Sequence, residues 1–76
     1  MKELLEVLAR ALVVHKSDVV VVERTNEGVL ELDVEVSPTD RGRVIGRRGR
    51  TAEALRTLMD AVGDRRGTPC SVEVVD

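Results

Sequence analysis

A two-layer α+β sandwich, with helices covering one face of a three-stranded mixed sheet, is the fold class the sequence predicts, and three observations predict it. Leu5, Leu8 and Leu12 recur at helical spacing near the start of the chain. Val29 to Val36 alternates strictly between apolar and acidic residues. A second helical pattern, Ala52, Leu55, Leu58, Met59 and Val62, follows a glycine-containing turn and leads into a last alternating run. The order is α-β-β-α-α-β in a single domain, residues 1–76, without internal repeats. A chain this short buries only about 60% of its unfolded surface, so there is room for one core.

The first helix is expected over residues 2–14, with Leu4, Val7 and Ala11 flanking the leucines and Lys2, Glu3, Glu6 and Arg10 on the wet side. Ser17-Asp18 breaks it, and Val19 to Arg24 is a β-branched run. Thr25-Asn26-Glu27-Gly28 has the chemistry of a hairpin turn, because Asn and Gly tolerate positive φ. In the next strand Leu30, Leu32, Val34 and Val36 point one way and Glu31, Asp33 and Glu35 the other. Ser37-Pro38-Thr39-Asp40 starts a helix, with Ser37 as candidate N-cap, Pro38 at the first helical position and Asp40 near the positive dipole end. That short helix runs into Gly46, and the longer one after Gly49 ends near Gly63. Asp64 to Pro69 reads as a loop, and Cys70, Val72 and Val74 alternate with Ser71, Glu73 and Val75 as the final strand. The hairpin makes the first two strands antiparallel, whereas a two-helix crossover permits the third to run parallel to one of them.

Net charge is −2, yet residues 41 to 66 carry eight arginines against Glu53, Asp60 and Asp64, a local balance of +5. Four cations and eleven carboxylates leave −7 for the remainder. Such a chain attracts a polyanion to one face and repels it from the others. It contains no Phe, Tyr or Trp, so any base must be met by aliphatic side chains, arginine planes and hydrogen bonds.

The arginines concentrate around Val44-Ile45-Gly46-Arg47-Arg48-Gly49-Arg50. An αα turn needs glycine merely to end one helix and reverse the chain. A folding turn would accept any polar pair between the glycines, however, and here Arg47 and Arg48 stand there, flanked by Arg43 and Arg50. Four like charges repel one another unless an anion neutralises them, and a turn that gathers backbone N–H groups suits phosphate.

The loop resembles the GxxG loop of a KH domain, and the element order resembles the type II KH arrangement over nearly the whole chain. The short length, the Pro38-Thr39-Asp40 helix start and Gly46-Arg47-Arg48-Gly49-Arg50-Thr51-Ala52 are similar to the small single-KH bacterial RNA-binding proteins of the KhpA type. The resemblance implies RNA binding in the cytoplasm and pairing, as a homodimer or as a heterodimer with a larger KH-containing partner, KhpB. Carried over by position, it makes Gly46, Arg47, Arg48 and Gly49 the clamp on a single-stranded RNA backbone, with Arg43 and Arg50 beside it. Such a loop holds about four nucleotides. Ile45, Ala52 and Leu55 would line an apolar groove in which bases reach backbone groups of the middle strand, residues 29 to 36. Arg56 either extends the phosphate track or is a solvated helix charge.

Other chemistries fit poorly. A P-loop requires a strand before its glycines and Gly-Lys-Ser/Thr at its end, but here the turn lies between helices and closes with Gly49-Arg50-Thr51. Gly42, Gly46 and Gly49 lack the dinucleotide spacing. His15, read as a helix C-terminal dipole partner, and Cys70, read as a buried inert thiol, are the only imidazole and thiol, so neither a metal set nor a disulfide is expected. No nucleophile–base pair stands out, and an enzyme and a cofactor are not expected. The charges scattered through Met1 to Glu6 argue against a signal peptide or membrane span. The rival to RNA clamping is a KH-fold dimerisation module whose nucleic-acid binding is weak or depends on a partner; single-stranded DNA is a third possibility, since nothing in the loop reads a 2′-hydroxyl.

Overall fold

The computed structural model describes residues 1–75. Helix α1 spans Lys2–Leu12, strand β1 Val20–Asn26, strand β2 Val29–Glu35, helix α2 Arg41–Ile45, helix α3 Arg50–Arg66 and strand β3 Cys70–Val74. Short 3-10 turns precede β1 (Lys16–Asp18), α2 (Pro38–Asp40) and α3 (Arg47–Gly49). The sheet has the order β1-β2-β3, with β1 antiparallel and β3 parallel to the middle strand.

Alternation dictates the layers. Leu32 and Val34 of β2 are sealed on the face that the helices cover, and Val21 and Val72 join them from the neighbouring strands. Leu5 and Ala9 from α1, Val44 from α2 and Leu55 and Met59 from α3 complete one continuous core. On the opposite face Arg24 reaches Asp33 at 2.8 Å and Glu31 at 3.6 Å, pairing across the two antiparallel strands. The predicted architecture and element order therefore agree with the structure.

Several boundaries differ, each for a local reason. The hairpin turn is the two-residue Glu27-Gly28, with φ of 51° and 81°; Glu27 rather than Asn26 adopts the left-handed conformation, and Thr25 and Asn26 belong to β1. Helix α1 stops at Leu12, because Val13 is already extended. Val7 and Ala11 face solvent, and the helix instead buries Ala9. Helix α3 does not end near Gly63 but continues to Arg66, with Gly67 in the left-handed conformation as its stop. Thr68 N–H on the Gly63 carbonyl (2.8 Å) and Gly67 N–H on the Asp64 carbonyl (3.3 Å) form a Schellman motif there. Gly63 has a different task, since a β-carbon on it would lie 2.5 Å from the Thr68 carbonyl oxygen.

Ser37 occupies the N-cap position of the Pro38 turn but makes no side-chain cap; its hydroxyl contacts that of Thr39 at 3.1 Å. Cys70 is half-buried, its thiol donates to the Met59 carbonyl at 3.1 Å, and burial, then Asp60 and Asp64, push its pKa up. That environment disfavours the thiolate, as an inert cysteine requires. Among the described residues no helix is long and apolar enough to cross a membrane.

Candidate nucleic-acid interface

The Gly46 to Gly49 turn is built by two glycines with different duties. Gly46 ends α2 at φ 77°, ψ 171°, a region open essentially to glycine alone, and its N–H closes on the Gly42 carbonyl at 2.9 Å. It also has no room for a side chain, since a β-carbon would collide with the Thr51 side chain and lie 2.9 Å from the Thr51 amide nitrogen. Gly49, at φ 73°, ψ 11°, donates its N–H to the Gly46 carbonyl at 3.1 Å and faces open space. Between them Arg48 is itself left-handed (φ 57°, ψ 26°), a conformation costing a non-glycine residue roughly 1–2 kcal/mol.

This turn delivers the chain into α3 with Gly49 as N-cap and no side chain capping the first turn. Seventeen residues of aligned peptide dipoles thus begin at amides free of any side-chain acceptor, beside Arg47, Arg48 and Arg50. All three arginines are exposed and none has a carboxylate partner among the described residues. Arg43 differs: its Nε lies 3.8 Å from Asp40 Oδ1. One cation of the predicted four is therefore partly neutralised from within.

Asp40 is the buried anchor of this corner, 1% exposed. Its carboxylate accepts the N–H groups of His15 (2.9 Å) and Val14 (3.3 Å), and His15 Nδ1 lies 3.0 Å away. The hydrogen bond from the His15 amide, chiefly, holds the carboxyl below its usual range against the opposing effect of burial. Asp40 stands at the N-terminal end of α2 as expected, though its side chain caps no helix, whereas the expectation that His15 serves the end of α1 is corrected. They bind each other, joining the segment after α1 to the start of α2, and a contact 25 residues apart leaves no local periodicity to read.

The predicted groove residues do not share one surface. Ile45 ends α2 just before the loop and is 36% exposed, whereas Ala52 and Leu55 are nearly sealed in the core. At about 100° per residue, Ala52 and Arg56 lie on the flank of α3 toward β3. Leu55 turns toward α1, where it lines an apolar groove with Leu8, Leu12 and Leu58. The expectation that bases reach the backbone of residues 29 to 36 is also corrected. β2 is paired on both sides, so its N–H and C=O groups are already used. Of the two edge strands, β3 is the one that α3 packs against, and Arg56 Nε donates to its Val72 carbonyl at 3.2 Å. Arg56 is thus tied to the sheet rather than freely solvated.

A family model described as the KhpA/KhpB KH domain matches residues 2–74. The chain is 41% identical to the RNA-binding protein KhpA of Clostridium perfringens over 75 residues, covering 99% of this chain and all of that protein. It is 48% identical to RNA-binding protein KhpA of Leifsonia xyli subsp. xyli over 69 residues, 91% of this chain and 88% of the relative. Against RNA-binding protein KhpA of Aquifex aeolicus the identity is 36% over 76 residues, the whole of this chain and 96% of the relative.

Proposed function

The chain belongs to the KhpA/KhpB family of KH domains, and from that footing we propose that it is a non-catalytic RNA-binding protein that clamps a single-stranded backbone with Gly46-Arg47-Arg48-Gly49. The carrying observation is the uncapped start of α3 with three exposed arginines that have no carboxylate partner among the described residues, around a turn too tight for a side chain at Gly46. Phosphates enter where the amides and guanidinium groups converge, and Arg43, Arg50, Ile45 and Ala52 border the site. Leu55 supports α3 from the core. Affinity is then largely electrostatic and only weakly selective, a cytoplasmic role in RNA metabolism suited to many transcripts.

The test is a salt titration of binding to short single-stranded RNA, for the native chain and for Arg47→Asp/Arg48→Asp after circular dichroism has verified folding. Each lost phosphate contact lowers the slope of log K against log salt by about 0.7 on a single strand. A slope reduced by about 1.4, with strongly weakened binding, supports the clamp. Equal binding by both proteins refutes it.

Pairing is the second part of the reading, as a homodimer or with a KhpB-like protein. The apolar groove between α1 and α3, lined by Leu8, Ala11, Leu12 and Leu58, favours it, since Leu58 is 44% exposed. Two linked clamps multiply effective concentration on one strand. Light scattering that finds a monomer at all working concentrations, with no shift on adding a KhpB-type protein, removes this part.

A further inference from the structure

Strand β3 exposes one row of backbone groups. Leu30 N–H bonds the Pro69 carbonyl at 2.9 Å and Val75 N–H bonds the Val34 carbonyl at 3.0 Å, so residues 69 and 75 direct their polar groups at β2. Backbone groups alternate in direction along a strand, so 71 and 73 do the same, while Cys70, Val72 and Val74 direct theirs outward. An outward residue ordinarily offers one donor and one acceptor side by side. At Val72 the carbonyl already accepts from Arg56 Nε, whose guanidinium stands in front of it.

That single bond changes what the edge can read. Val72 contributes its N–H, and Arg56 contributes terminal guanidinium nitrogens that have no other partner among the described residues. The guanidinium plane is held by one hydrogen bond, which lowers the ordering cost of using its remaining fork. We infer that Arg56 is a specificity-determining residue of the groove, converting the β3 edge at Val72 into an array of donors that accepts guanine and disfavours adenine. Guanine presents two adjacent acceptors, N7 and O6, whereas adenine pairs its N7 with an amino donor that meets the guanidinium fork beside Val72, the other outward carbonyls, of Cys70 and Val74, lying two residues away along the strand. In a chain without aromatic side chains the same flat cation offers its face to the neighbouring base of the strand. The inference rests on the RNA-clamp reading, since the loop must first bring the strand alongside α3.

The experiment compares uridine-rich seven-nucleotide RNAs that differ only in a central guanine or adenine, by fluorescence anisotropy at fixed salt. The proteins are the native chain, Arg56→Gln, Arg56→Lys and the loop variant Arg47→Asp/Arg48→Asp. Arg56→Lys keeps the charge and a bond to the Val72 carbonyl while removing the planar fork, so it is the variant expected to stay folded. The native chain should favour guanine by roughly tenfold, and both Arg56 variants should bring the ratio toward one while retaining loop-dependent binding. A native chain that binds both RNAs alike through its loop, or a preference that survives in Arg56→Lys and Arg56→Gln, overturns the inference and leaves the clamp intact. Failure of the native chain to bind either RNA, or binding indifferent to the loop variant, overturns both.

Discussion

Thr51 fills the space that a side chain on Gly46 would need, and its amide nitrogen would lie 2.9 Å from such a β-carbon. The first glycine of the loop and the second residue of α3 are therefore fitted to each other, and Gly46 carries a steric demand that Gly49 does not.

Gly46→Ala should destabilise the fold by about 2 kcal/mol or more, from its backbone region together with the clash. In a domain of this size that is a fall in Tm of roughly 10 °C, read by thermal melting. Gly49→Asn, in open space and a left-handed region that Asn tolerates, should cost about 1 kcal/mol or less.

Arg48 is held in the left-handed region, and in the proposed clamp its charge meets a phosphate. Arg48→Asn suits the left-handed conformation better and should raise Tm slightly, by about 0.5–1 kcal/mol of stability. RNA affinity should fall at the same time, with the salt slope lower by about 0.7. A variant that is both less stable and equally tight in binding would contradict the assignment.

The Asp40 carboxyl, ordinarily near 3.8, is lowered in the folded chain by the amides it accepts. The folded state thus binds this proton more weakly than the unfolded state. Its stabilisation is complete above the ordinary value and disappears as pH falls through the lowered one. Asp40→Asn should melt lower than the native chain near neutrality, with a shallower decline in Tm between about pH 5 and pH 2. Thermal melts at stepped pH measure both.

Replacing a glycine inside an exposed helix by alanine commonly gains about 1 kcal/mol. Gly63→Ala should do the reverse. Its β-carbon meets a backbone carbonyl at Thr68 and approaches the Cys70 sulfur at 3.4 Å, so a loss of roughly 1–3 kcal/mol is expected by chemical denaturation.

Gly63 also marks where reading by pattern stops. A glycine after an apolar-periodic run looks like a helix stop, but this one permits close approach of the chain returning into β3, and Gly67 does the stopping. Periodicity sufficed for the sheet, the helices and the arginine loop, because those features repeat locally. It was silent on the Asp40–His15 anchor, on Arg56 meeting Val72 and on the direction in which Leu55 turns, since each depends on elements distant in sequence. The groove strand was misassigned for the same reason: which strand keeps an open edge is a property of pairing order, and order is not written in alternation.

Between β2 and β3 the chain passes through α2, the arginine loop and α3 before β3 closes back on β2. The loop is thus one arc of a closed circuit. A fluctuation that peels β3 away also slackens the loop, and an anion gripping the loop opposes that fluctuation. In the proposed clamp, occupancy of the turn should therefore slow amide hydrogen exchange at the β2–β3 ladder.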